Sequence, residues 1–132
     1  MQISAVVKSS RTAHEVAVRT GDLTQVLPVP AKVTGRGSAV NGGEFLMLAL
    51  ATCYCNDLYR EAQRLQVPID GVEVEASAEF AGIGLAAANI RYRAHVSSSA
   101  PADVIAELVR QTDAVAEVHN TVRAGVPVTL IA

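Results

Sequence analysis

Cysteine is scarce: of 132 residues only two are cysteine, Cys53 and Cys55, one residue apart. Two such thiols make neither a disulfide framework nor a four-ligand zinc site, because no spacing elsewhere supplies the remaining ligands. In a reducing compartment both are expected to be free. Long apolar runs are also missing. The longest, Phe45 to Cys55, covers 11 residues, whereas a bilayer crossing takes about 20, so a buried helix is expected and no membrane partner. Neither sign of charge dominates: 11 Lys and Arg stand against 13 Asp and Glu, for a net charge of −2. The basic residues are scattered, which excludes the electrostatic footprint of nucleic-acid binding. Charge runs and Ser/Pro-rich tracts, the marks of disorder, are absent. Met1 to Ser10 lacks the charged start, apolar middle and small-residue cleavage site of a signal peptide, and a cytoplasmic location is expected.

What is present is a half-hydrophobic chain (50 %) long enough to bury a core, and a single domain over residues 1–132 is expected. Residues 2–8 and 13–20 read as strands joined by a polar turn, and Gly21-Asp22 turns the chain into a third extended piece, Leu23 to Val29. Pro28, Pro30, Gly35 and Gly37 mark an irregular connection. At Asn41 a helix begins: the Asn41 side chain can accept from the Glu44 amide while Glu44 reaches back, a capping box. The helix is expected to reach about Gln66, a length of roughly 35–40 Å at 1.5 Å per residue. After Asp57 it becomes amphipathic, and its second half is expected to emerge from the core.

Val72 to Phe80 and Ile90 to Val96 alternate as half-buried strands. An antiparallel register that opposes Glu79 to Arg91 and Glu75 to His95 would match acid with base. Pro101 suits the first turn of another helix, with Val104, Ile105, Leu108, Val109, Thr112 and Ala116 on its inward stripe. Val126 to Ile131 reads as a final strand, with Pro127 at an edge. The order βββ-α-ββ-α-β gives an α+β domain. A helix apolar on every side, in a chain with one other substantial helix and a few short strands, is hard to cover from one copy, and an obligate homodimer is expected.

Cys53 and Cys55 point about 200° apart on the helix, so at most one faces a given site. The helical neighbours of Cys53 are Ala49, Leu50, Asn56 and Asp57, none of them cationic. Activation of its thiol would need an arginine or histidine from elsewhere, and the competing reading is inert packing.

The strand-rich start, then Asn41-Gly-Gly-Glu-Phe-Leu-Met-Leu-Ala-Leu-Ala-Thr-Cys53, alternating strands, a second helix and Ala116-Glu-Val-His-Asn-Thr-Val122 together resemble the OsmC/Ohr family of thiol-dependent hydroperoxide reductases. The likeness covers nearly the whole chain. It implies an OsmC-like fold of antiparallel sheets with a long central helix, in an intertwined homodimer with sites at the subunit interface. It also implies chemistry: a first thiolate attacks the peroxide, giving a sulfenic acid, a second cysteine condenses with it, and a dithiol reopens the disulfide. Cys53 matches the first cysteine and Arg11 is the candidate for the arginine that activates it. The second cysteine is replaced by Ala116. The catalytic glutamate is replaced by Gly43, with Glu44 one place later, where the cap already accounts for it.

His119, three positions after Ala116, is open to three readings: lowering the Cys53 pKa, binding a metal with Cys53, or making ordinary hydrogen bonds. Arg36, in the loop before the helix, is a second candidate cation, and Arg11 has the alternative of a solvated turn residue. Two functions compete. One is a one-cysteine hydroperoxide reductase using Cys53, Arg11 and Glu44, with a small hydroperoxide as substrate, an external thiol as reductant, and no metal or cofactor. The other is a non-catalytic dimer that binds a small hydrophobic or acyl ligand in an interface pocket.

Overall fold

The alternating segments at the start of the chain pair as strands. In the computed structural model, which describes residues 1–132, β1 (Ile3–Ser9), β2 (His14–Thr20) and β3 (Leu23–Leu27) form an antiparallel sheet in that order. Ser10 closes the first turn, its Oγ accepting from the Ala13 amide at 3.1 Å while its own amide donates to the Ala13 carbonyl at 2.9 Å. Gly21 takes the second turn with a φ of 56°, a left-handed conformation that glycine adopts without strain. The connection that follows is irregular, pinned by a bridge between Ala31 and Ser38.

The capping box forms as its residues dictate. Asn41 Oδ1 accepts from the Glu44 amide at 2.8 Å, and Glu44 Oε1 accepts from the Asn41 amide at 3.0 Å. The helix it opens, α1 (Gly42–Leu65), runs 24 residues. It stops at Gln66, which adopts a φ of 56°, and the Val67 amide reaches back to the Ala62 carbonyl at 2.8 Å. This is a Schellman-type end in which glutamine occupies the place usually given to glycine.

The chain divides into two compact units, residues 1–45 and 46–132. In the first, Val16 is buried, while Ile3, Val6, Val7, Leu23 and Val26 are each more than half exposed. The second holds most of α1 together with β4 (Gly71–Glu79), β5 (Ala88–Ser97), α2 (Ala102–Val115) and α3 (Glu117–Ala124). Its core is built on α1: Tyr54, Leu58 and Ala62, one turn apart, join Leu108 of α2 and Ala116. Val72 and Val74 of β4 and Tyr92, Ala94 and Val96 of β5 pack against this cluster. The polar residues of both strands, Glu73, Glu75, Arg91 and Arg93 among them, face outward.

Four sequence expectations are corrected. The β4–β5 register is shifted by two residues, opposing Glu75 to Arg93, Glu73 to His95 and Ser77 to Arg91. A two-residue slip keeps every side chain on its face, so charge matching survives with other partners, and Arg93 Nη2 lies 2.8 Å from Glu75 Oε2. The second helix breaks at Ala116, whose ψ of 107° is extended, and a third helix follows. Side chains from α3 satisfy the main chain at the break, since Asn120 Nδ2 donates to the Ala114 carbonyl at 3.1 Å. Gly125 then ends α3 in a left-handed conformation, its amide bonded to the Val122 carbonyl.

Residues 126–131 form no strand, and Val128 and Leu130 are 99 % and 96 % exposed. A strand requires a partner edge, and none within the chain is paired to this segment. Finally, the part of α1 after Asp57 does not emerge from the core. It supplies Leu58 and Ala62 to the core, while Leu48 in the apolar first half is 58 % exposed, because β4, β5 and α2 all pack on the later turns. No helix is long and apolar enough to cross a membrane.

Candidate functional site

Cys53 lies on α1 in the second unit, half-buried. One turn on, Asp57 presents Oδ2 at 3.5 Å from the sulfur, and Glu117 at the start of α3 presents Oε2 at 3.8 Å. The remaining oxygens of both carboxylates meet one guanidinium: Arg60 Nη1 is 3.1 Å from Asp57 Oδ1 and 3.2 Å from Glu117 Oε1. Each carboxylate thus bridges the thiol to Arg60. Arg60 Nε also approaches Glu61 Oε2 at 3.6 Å, and Glu61 is held in turn by Arg64 at 2.9 Å.

The break at Ala116 is what delivers Glu117. A continuous helix would carry residue 117 onward along the α2 axis, whereas the extended Ala116 restarts the helix with fresh unpaired amides at its N-terminus. No side chain caps α3 from the usual position. Glu117 folds its carboxylate onto its own amide, and the backbone at Val118 lies close enough to Cys53 to lower its pKa.

The electrostatics follow from this crowding. Burial, foremost, and then the Asp57 and Glu117 carboxylates push the Cys53 thiol above its ordinary value, while the Val118 amide pulls the other way. Asp57, only 5 % exposed, is raised by burial and by its hydrogen bond to Glu117. Glu117 is lowered by its own amide, by Asp57 and by Arg60. The carboxyl pair titrates as a unit; its first proton settles on Asp57, which donates it to Glu117. Arg60 cannot favour the thiolate strongly, because its charge is already shared between acids.

Of the residues expected from sequence, Cys53 is placed in this cluster. Glu44 lies in the capping box in the first unit, as its spacing dictates. Arg11 is exposed in the turn between β1 and β2, and Arg36 is exposed in the connection before α1. Ala116 is wholly buried. His119 packs its ring against Tyr54 and Tyr92 with centroids 5.7 and 4.4 Å away. It is 3 % exposed with both ring nitrogens unpartnered, and burial lowers its pKa. Two residues along a helix point about 200° apart, so Glu117, not His119, is the α3 residue that reaches the thiol.

Sequence places Asp57 among the helical neighbours of Cys53, but it does not single out Glu117 or Arg60. Arg60 at i+3 from Asp57 was legible as a helical pair. Nothing in the local sequence marks the break that brings Glu117 in. Cys53 Sγ and an oxygen from each of Asp57 and Glu117 lie within 4.8 Å of one another, a grouping able to ligate a metal. The cation that answers these charges in the structure is Arg60.

A family model described as OsmC-like protein matches residues 35–131. The chain belongs to the OsmC-like protein family. No curated protein matches it. Among solved structures, an OsmC-like protein from Mycoplasma pneumoniae superposes with a TM-score of 0.64 at 18 % identity, covering 92 % of this chain and 86 % of that one. An organic hydroperoxide resistance protein OsmC from Legionella pneumophila gives 0.63 at 20 % identity, over 98 % and 95 % of the two chains. An OsmC-like hydroperoxide resistance protein from a Jannaschia species gives 0.55 at 14 % identity, over 97 % and 87 %. At these identities the likeness is one of fold: an α+β chain with antiparallel sheets and three helices.

Proposed function

We propose that this OsmC-like chain is a one-cysteine organic hydroperoxide reductase of low activity, working as a homodimer through Cys53 with an external thiol as reductant. The observation that carries this reading is the placement of the Cys53 sulfur. It is half-buried, it lies 3.8 Å from the Glu117 carboxylate at the start of α3, and it thereby meets the segment after Ala116 that the resemblance aligns with the second-cysteine region.

The amide at a helix start is the feature here that stabilises a thiolate. Against it stand burial and two carboxylates, which keep most of the thiol protonated at neutral pH, and slow turnover follows. With alanine at 116 and Cys55 pointing away along α1, the sulfenic acid is left for an external thiol. That thiol forms a mixed disulfide with loss of water, and a second thiol releases Cys53. Arg11 and Glu44 enter the proposal through the resemblance alone, Arg11 as a cation favouring the thiolate and Glu44 as an orienting carboxylate.

Support for a homodimer comes from uncovered apolar surface. A three-stranded sheet with one buried large apolar residue has little to hold it, and Leu48, Val128, Leu130 and Ile131 present further apolar area of the kind that marks an interface. The experiment is consumption of cumene hydroperoxide with dithiothreitol or dihydrolipoamide. Wild type should be active and Cys53→Ser inactive; equal inactivity of both contradicts the reading. The raised thiol pKa favours a second reading, a non-catalytic dimer that binds a hydrophobic or acyl ligand. Co-purified lipid in a protein whose Cys53 is inert to peroxide would establish it.

A further inference from the structure

We propose that Asp57 and Glu117 form a proton relay for Cys53, taking the thiol proton as the sulfur attacks and delivering it to the departing alcohol. The inference rests on the hydroperoxide reading and goes beyond it, since the resemblance assigns neither residue a role. Its basis is the shared geometry: both carboxylates touch the sulfur with one oxygen, at 3.5 and 3.8 Å, and touch Arg60 with the other, at 3.1 and 3.2 Å.

The arrangement spans a gradient of exposure. The Asp57 side chain is 7 % exposed and that of Glu117 65 %. A proton accepted at the buried end can therefore leave at the end that meets solvent and substrate. Arg60 keeps the two acids in register without closing off the oxygens that face the sulfur. Glu61, the remaining acid near Arg60, is engaged by Arg64 and lies outside the relay. The groups facing the thiol are thus Asp57 and Glu117, with Arg60 behind them.

The chemistry balances without an added group. The sulfur attacks the terminal oxygen of R–O–O–H, an S–O bond forms as the O–O bond breaks, and sulfur loses the two electrons that the peroxide gains. The thiol proton passes to a carboxylate and from it to the leaving alkoxide, giving the sulfenic acid and the alcohol ROH. A thiol that is hard to ionise reacts more slowly than a free thiolate but can still take this step, because proton removal accompanies attack instead of preceding it. An alkoxide is a poor leaving group until it is protonated, so donation to it is where the relay acts.

That requirement gives the test. Cys53 reactivity is measured in single turnover in a Cys55→Ser background, with three reagents: cumene hydroperoxide, peracetic acid and iodoacetamide. The latter two release a carboxylate and an iodide, which need no proton. In Glu117→Gln, oxidation by cumene hydroperoxide should fall by about 100-fold, the usual scale of general acid–base assistance. Its reactions with peracetic acid and iodoacetamide should stay level or quicken, since a charge opposing the thiolate is gone. Asp57→Asn should follow the same split, and Glu117, being exposed, is the variant that is safe for folding.

Oxidation by cumene hydroperoxide as fast as wild type in Glu117→Gln would overturn the relay and make the carboxylates brakes on the thiol. Equal slowing with all three reagents would also overturn it, because it would leave no part for donation to the leaving alkoxide, the step in which the relay acts. A wild-type Cys53 that is alkylated but inert to cumene hydroperoxide would overturn the hydroperoxide reading itself, and the relay with it.

Discussion

Cys53 and Glu117, 64 residues apart in sequence, meet with 3.8 Å between sulfur and carboxylate oxygen. The contact exists because the helix that begins at Glu117 starts afresh after Ala116, and it places a negative charge against a thiol already raised by burial and by Asp57. The pH profile of Cys53 alkylation should therefore have its midpoint above that of an unhindered thiol, about 8.5. Glu117→Gln should move the midpoint down. An unchanged midpoint in Glu117→Gln would show that burial and Asp57 set the acidity without Glu117.

Leu58 is fully buried at the centre of the second unit, between Tyr54 and Ala62 on α1 and against Leu108. Leu58→Ala should cost about 2–5 kcal/mol, the range for emptying a packed leucine site, read as a lower denaturant midpoint. A loss below about 1 kcal/mol would mean that the core collapses around the gap.

Much of this core was legible. Strand alternation fixed the inward faces of β4 and β5, and Asn41 with Glu44 fixed the start of α1. The register was not, because acid and base alternate along both strands and a slip of two residues still matches charges. The break at Ala116 was not, because alanine is the strongest helix former and the bond from Asn120 to the Ala114 carbonyl that satisfies the break forms only once the chain has turned there. The site inherited that blindness: Cys53 and Asp57 are neighbours on one helix, whereas Glu117 arrives through the break. The final strand was read from alternation that is real in the sequence, but a strand needs an edge to pair with.

The capping box gives a way to separate structure from chemistry at Glu44. Asn41→Ala should cost about 0.5–2 kcal/mol. Glu44→Gln, which keeps an acceptor at the same place in the box, should leave stability within about 0.5 kcal/mol of wild type. If Glu44→Gln at unchanged stability also loses peroxidase activity, the carboxylate has a role beyond the cap; retained activity removes Glu44 from the catalytic proposal.

Exposed apolar side chains make oligomeric state a sharp test. Sedimentation should give twice the chain mass of 13.8 kDa, and Leu48→Asp, at a site 58 % exposed in the single chain, should shift it to the monomer. A wild-type monomer at micromolar concentration would contradict the dimer.

His119 sits neutral among Tyr54, Tyr92, Asp113 and Arg123, its pKa lowered chiefly by burial from the usual 6.5. Below about pH 6.5 the unfolded chain takes up a proton that the folded one resists, so stability falls on acidification through that window. His119→Phe, which removes the ring nitrogens left without partners, should flatten the slope and retain or raise stability at pH 7. An identical slope in the variant would place the acid sensitivity elsewhere.

The proposed chemistry requires that the Cys53 sulfur be the atom that peroxide oxidises. One equivalent of cumene hydroperoxide in the presence of dimedone, followed by peptide mass spectrometry, reads this directly. The adduct should fall on Cys53 and spare Cys55. Labelling of Cys55 with Cys53 untouched, or of neither thiol, would contradict it.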